Sequence, residues 1–417
     1  MNSFSIGGNL AQLQARVSKS DKGLTHPNLS NAMLILALDP CCTDLVGYNE
    51  FETEAQLLRP PPVANPGDRP APGPYPRPWQ PADVALVTAY IQRTHCERMR
   101  AGDVEQAMVG EADRRRFHPV RDWLDSLRWD GVSRLDHWLH EAFGADDSAY
   151  VQAVAAKTLI AAVRRIRQPG CKFDTMPVLE GGQGMGKSRS IKRLFGEFWF
   201  TDAMPPDLKS KDGSQAMLGI WCIEFAEMEH LIRQEVETIK AFLSRAVERY
   251  RPSYGRSFVK RPRQCIFIGT TNSTDYLRDA TGNRRIWPIT CRHADEIWIA
   301  QNRDQLWAEA AHREKQGEAI WIDGDEARTE AAAQQDERMS EDVWTDGVRA
   351  WLSANPGALV TVPKVLTEAI SMPTDRHDKR SEMRMSAILT RLGYQRTQTR
   401  RGGSKPIRHW IIRESET

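Results

Sequence analysis

The octapeptide Gly181-Gly182-Gln183-Gly184-Met185-Gly186-Lys187-Ser188 constrains this chain more than any other stretch. It satisfies the phosphate-loop pattern G-x-x-x-x-G-K-[ST] without a mismatch. Residues 176–180 ahead of it read as a short buried strand. Residues 189–195 behind it read as a helix with Ile191, Leu194 and Phe195 on one face. Strand, glycine loop and helix together predict a nucleoside-triphosphate site. Glycines let backbone N–H groups curl around phosphate, and the helix start adds partial positive charge. Gly182, Gln183, Gly184, Met185, Gly186, Lys187, Ser188 and Arg189 are the residues expected along the nucleotide. Lys187 is expected on the β- and γ-phosphates, and the Ser188 hydroxyl on Mg²⁺. No Asn-Lys-x-Asp guanine-reading motif occurs, so ATP is the expected triphosphate.

Two further strands end in polar residues. Residues 220–229 form an apolar run closing in Glu224, Glu227 and Glu229. A hard Mg²⁺ needs an oxygen ligand beside Ser188, and an attacking water needs a base. Glu224 is assigned to the metal and Glu227 to the water. Phe225 stands where a second acid usually follows the first, which leaves the division of roles open. Residues 264–272 end in Thr270-Thr271-Asn272, and the Asn272 amide can orient the attacking water. Arg284 and Arg285 precede the next strand. A guanidinium keeps its charge and chelates phosphate oxygens, so either suits a finger into a neighbouring subunit's site, the other being a structural ion pair.

Between the two polar-ended strands, residues 235–247 read as a helix and residues 249–263 as a basic hairpin with its tip at Tyr254-Gly255. Six basic residues there alternate with Tyr250, Tyr254 and Phe258. Cations neutralise phosphates and rings stack bases, which predicts a nucleic-acid contact through Arg251, Tyr254, Arg256, Lys260 and Arg261. The competing reading is a surface hairpin whose rings pack inward.

The chain has 417 residues and a net charge of +2, so any nucleic-acid site is a local patch rather than a property of the whole molecule. Seven scattered cysteines form no C-x-x-C pair, which supports neither a zinc ribbon nor a disulfide framework. No signal-peptide pattern or membrane-length apolar run is present, which predicts a reducing, cytoplasmic setting and no membrane partner. Residues 59–78 are dense in proline and read as an extended linker or wrap. Tryptophans 123, 129 and 138 predict a small helical subdomain with an aromatic core. After residue 341 three helical patterns precede two strands around Arg400-Arg401-Gly402-Gly403, a winged-helix layout. Residues 375–413 hold eleven basic residues against three acidic ones, so Arg400 and Arg401 are expected on DNA.

Taken in order, these motifs resemble the virulence-associated protein E family of phage, plasmid and pathogenicity-island proteins. These are similar to superfamily 3 helicases and to the ATPase half of primase-helicases. The resemblance is carried by Phe117-His118-Pro119-Val120-Arg121-Asp122-Trp123-Leu124, Trp129-Asp130-Gly131, Pro169-Gly170-Cys171-Lys172-Phe173-Asp174 and the phosphate loop. Glu224-Phe225-Ala226-Glu227, the stretch 250–256, Gly269-Thr270-Thr271-Asn272 and Gly282-Asn283-Arg284-Arg285 complete it. It implies a ring-forming motor, expected as a hexamer, with a DNA-contacting hairpin before the sensor strand.

The fold class expected is α/β: a P-loop ATPase core of AAA+-like, superfamily 3 type, with a helical N-terminal domain and a small C-terminal winged-helix-like domain. The expected divisions are 1–80 (N-terminal segment with linker), 81–148 (helical), 149–300 (ATPase), 301–340 (helical connection) and 341–417 (winged helix). The expected function is an ATP- and Mg²⁺-dependent DNA motor of a phage or mobile element in a bacterial cell, with replication proteins as further partners. The alternative is a nucleotide-gated DNA-binding, assembly or defence ATPase that does not unwind.

Overall fold

The described residues before 81 do not form a separate segment and linker; most of their buried side chains share a core with the helices that follow. The computed structural model of the protein describes residues 3–65, 67, 69–70, 73–203, 210–226, 239, 241–252, 257–274, 276–277, 283–338, 342–399 and 407–412. Helices Ser3–Arg16, Leu29–Leu38, Pro81–Thr94 and Ala101–Arg114 bury Leu13, Ile35, Val87, Ile91, Val104 and Met108 together. Against them lies a four-stranded sheet of β1 (Val46–Asn49), β2 (Glu54–Leu57), β3 (Arg77–Pro78) and β4 (Arg116–Phe117) in the order β3-β2-β1-β4. The proline-rich stretch thus ends as an edge strand, where a missing N–H costs no ladder bond. Arg77 anchors it through Asp83 at 2.8 Å.

The chain then supplies β5 (Met176–Glu180), β6 (Phe200–Thr201), β7 (Cys222–Phe225), β8 (Val247–Tyr250), β9 (Val259–Pro262), β10 (Ile266–Thr271) and β11 (Ile286–Thr290). Five of these form one parallel sheet in the order β11-β5-β10-β7-β6. The protein is therefore a mixed α/β fold built on a parallel sheet. Period-two alternation divides the sheet's side chains: Leu179, Ile266 and Ile268 face one layer, Val178, Cys265 and Phe267 the other. The first layer holds helices Ala149–Arg167, Lys187–Phe195 and Glu296–Lys315. Its centre is Trp221 against Trp307, ring centroids 4.1 Å apart, each indole N–H bonded to a backbone carbonyl.

The tryptophans at 123 and 129 do not build a subdomain of their own. Trp123 meets Trp199 and Trp221 of the central core, and Trp129 lies on His312. Trp138 is buried in the same core and donates to the Ala155 carbonyl. Helices Pro119–Ser126 and Trp138–Phe143 are too short to bury a core alone, so residues 117–148 pack on the parallel sheet.

Beyond helix Asp325–Glu337, helices Thr345–Ala354, Val362–Glu368 and Lys379–Arg391 join the antiparallel pair β12 (Tyr394–Thr399) and β13 (Ile407–Ile412). Val348, Val365, Met385, Leu389 and Trp410 form their separate core. Among the described residues no helix is long and apolar enough to cross a membrane.

The helix expected over 235–247 ends, within the described residues, at Leu243, and Val247 opens β8. Cross-strand pairing overrides the helical periodicity here. Val247 pairs with Pro262, and Glu248 turns inward to Arg263 at 2.6 Å. Arg263 also lies over the Phe242 ring, 4.3 Å from its centroid, and donates to the Phe242 carbonyl. Removing one partner of a buried pair strands the other charge, so Arg263→Ala is expected to cost about 3–5 kcal/mol, read by urea denaturation.

His118 fastens the short helix Pro119–Ser126 to the base of β10. Its Nδ1 accepts from the Arg121 N–H, and its Nε2 lies 2.7 Å from Gln264 Oε1. Burial lowers its pKa below the ordinary imidazole value. The neutral form therefore contributes stability that is fully present above the unfolded value, about 6.5, and is lost as pH falls through the folded one. Thermal midpoints between pH 7.5 and 5 should show a decline that His118→Asn reduces.

Candidate functional site

The glycine loop lies at the carboxyl end of β5, where it opens helix Lys187–Phe195. Gly184 and Gly186 take φ of +77° and +96°, left-handed values that a side chain would strain, so two of the glycines are required by backbone shape. Gln183, Gly184 and Arg189 are exposed, Met185 and Ser188 half-buried. Lys187 is buried, with its ammonium donating to the Gly181 and Gly182 carbonyls and to Asn272 Oδ1 at 3.4 Å.

β10 pairs with β5 on one side and β7 on the other, so the ends of all three strands meet the loop. A cleft of about 460 Å³ results, lined by the loop, Ala226, Thr270, Thr271 and Asn272. Behind the lining residues, Glu224 Oε1 accepts from the Ser188 hydroxyl and from the Thr270 hydroxyl, both at 2.6 Å. Burial pushes the Glu224 carboxyl above its ordinary range, and the two hydroxyls oppose that shift. Its Oε2 is buried with no hydrogen-bond partner among the described residues. One hydroxyl and one carboxylate with an unused oxygen fit a divalent cation that takes its other ligands from water and phosphate. Thr270 stands in the polar strand end read from the sequence without a role of its own, because a threonine inside a strand is a weak signal.

Arg284 and Arg285 lie at the opposite end of the sheet. They precede the first residue of β11, which runs parallel to β5 with Ile286 opposite Met176, whereas the loop follows Glu180. A strand of that length spans on the order of 16 Å, so neither arginine reaches the loop of its own chain. Arg285 pairs with Asp174 at 3.4 Å and donates to Ser244, while Arg284 is exposed.

The β8–β9 hairpin sorts its side chains by strand alternation. Tyr250 and Arg263, counted toward a nucleic-acid contact, turn inward and are buried. Arg249 and Lys260, directly opposite each other, are exposed, as are Arg251 and Phe258, with the Arg249 guanidinium 5.4 Å from the Phe258 ring centroid. Arg261 is half-buried. Glu227, Glu229, Tyr254, Arg256, Arg400 and Arg401 lie outside the described residues.

The sequence model of the virulence-associated protein E-like domain matches residues 124–340, just over half of the chain, and covers the loop, Glu224, Asn272 and both arginines. The chain belongs to the virulence-associated protein E-like family. No curated protein matches it in sequence. Among solved structures it is similar to the A form of the apo NrS-1 C-terminal region, at 16% identity and TM-score 0.35, covering 64% of each chain. Two further apo structures of that region overlap at 14% identity, TM-scores 0.36 and 0.38, covering 69% of this chain and 78% of theirs. Overlaps at this level leave the function to be read from the chain's own geometry.

In this family member Thr270→Val leaves the buried Glu224 carboxylate short of a donor. It is expected to cost about 1–3 kcal/mol in urea denaturation.

Proposed function

We propose that the protein is an ATP- and Mg²⁺-dependent DNA motor of replicative helicase type, from a phage or other mobile element, working as a homo-oligomeric ring. The observation that carries this reading is the convergence of Lys187, Ser188, Glu224, Thr270 and Asn272 on one cleft at the carboxyl ends of three parallel strands. The loop's N–H groups and the Lys187 ammonium would bind the β- and γ-phosphates. Mg²⁺ bound at Ser188 and Glu224 would offset charge on the transferring phosphoryl group. Asn272, exposed in the cleft beside Lys187, would orient a water toward the γ-phosphorus, and Glu227 is the base assigned to take its proton. Attack breaks the bond to the β–γ bridging oxygen and yields ADP and phosphate.

Because neither arginine reaches its own loop, the finger role requires a second copy. Arg284 is the candidate, since Arg285 is held by Asp174 and Ser244. That division supports sites completed between subunits, as a hexameric ring would provide. The exposed Arg249, Arg251, Lys260 and Phe258 form the DNA-tracking face of the hairpin. The C-terminal helices and β12–β13 are read as a winged helix, with Arg400 and Arg401 on DNA. The reading places the protein in the host cytoplasm, with replication proteins as partners.

ATP hydrolysis with and without single-stranded DNA tests the reading, with Lys187→Ala as the blank. DNA should raise the wild-type rate and the blank should be inactive. Arg284→Ala should lose about 10³-fold in kcat, whereas Arg285→Ala should chiefly lower the thermal midpoint. Lys260→Ala should weaken DNA binding and reduce its salt slope by about 1. Hydrolysis indifferent to DNA would overturn the DNA assignment. Turnover with no displacement on a forked duplex would favour a nucleotide-gated assembly.

A further inference from the structure

Glu180, the residue immediately before the glycine loop, carries a buried carboxylate that the hydrolysis scheme does not use. It is 1% exposed and joins four segments of the chain. Tyr276, four residues beyond Asn272, donates to Oε1 at 2.9 Å, and Thr290, the last residue of β11, to Oε2 at 3.2 Å. Arg338, just past helix Asp325–Glu337, grips both oxygens, Nε to Oε1 at 2.7 Å and Nη2 to Oε2 at 2.8 Å. Its Nη2 also reaches the Thr290 hydroxyl, and its carbonyl accepts from the Leu277 N–H. A bidentate guanidinium–carboxylate pair fixes orientation as well as distance. Burying one is a poor way to gain stability, because the desolvation cost consumes most of the attraction. What it does supply is geometry, one residue from the loop.

Arg338 also stands at the boundary of the C-terminal unit. Asp342 begins that unit and is gripped by Arg384, with two contacts of 2.7 Å. Four residue steps separate Arg338 from Asp342, so their Cα atoms lie at most about 15 Å apart.

We propose that Arg338 is a positioning residue for the glycine loop. By clamping Glu180 beside Tyr276 and Thr290, it holds the loop in its phosphate-binding shape. The inference rests on the nucleotide reading of the cleft and adds the device that sets its geometry.

The test uses the full chain and Mg²⁺ with a fluorescent, non-hydrolysable ATP analogue, at a temperature where every variant is folded. Arg338→Lys keeps the charge but loses the fork, and Arg338→Met loses both. Arg313→Met is the control: that arginine is half-buried where Arg338 is buried, but it too is held by acids (Asp136, Glu309, Glu318) and lies away from the loop. Arg338→Lys should weaken analogue binding about tenfold, with Arg338→Met weaker still, as expected when an outer-shell orienting group is lost. Amide exchange across 181–188 should quicken in Arg338→Lys relative to exchange in β10. Arg313→Met should lower the thermal midpoint and leave affinity unchanged. If Arg338→Met does not fold, Arg338→Lys carries the test alone. Affinity within about twofold of wild type in a folded Arg338→Lys, with unchanged exchange in the loop, would reduce the clamp to a core ion pair and overturn the proposal. If the wild type itself binds no better than Lys187→Ala, the nucleotide reading fails first and the proposal with it.

Discussion

The parallel pairing of β5 between β10 and β11 is the constraint from which the rest of the arrangement follows. Parallel strands put equivalent ends on the same edge, and loops at the carboxyl ends open into a shared crevice. Gly181 to Ser188, Ala226 and Thr270 to Asn272 therefore meet, although ninety residues of sequence separate the first from the last. The same register sends Arg284 and Arg285 to the far edge, a strand's length from the loop. A catalytic arginine placed there can serve only another molecule's site.

Basic side chains in this protein have two distinct uses, and burial divides them. Arg263 and Arg338 are sunk against carboxylates, and Arg285 is half-buried against Asp174. A guanidinium cannot shed its charge, and at Arg263 and Arg338 the fold provides a carboxylate and further acceptors at short range. Arg249, Lys260 and Arg284 remain in solvent. Among the described residues, these keep their charge accessible to solvent rather than committed to a buried carboxylate.

The N-terminal half divides between two cores for a related reason. Helices of six and eight residues cannot exclude water alone, so residues 117–148 use their tryptophans and leucines to join the parallel sheet. The described residues up to Arg114, with four helices of ten to fourteen residues packed on a small sheet, bury enough apolar surface to hold their own core.

The sequence by itself determined the strand–loop–helix unit, because glycine spacing, a terminal Lys-Ser and flanking apolar runs are local properties of the chain. The basic hairpin around residues 249–263 was also legible, because its cations and rings cluster in one short stretch. Glu224 and Asn272 could be chosen as strand-end residues from pattern alone. Tertiary structure decided what periodicity leaves open. Which hairpin residues face water depended on Glu248 finding Arg263 across the strands. Where the helix before β8 stops depended on the same pairing. Thr270 joins Glu224, and Arg338 joins Glu180 across 158 residues, only once the sheet is assembled. Buried charge must find its partner wherever the packed chain places one, and that search leaves no mark on the local sequence.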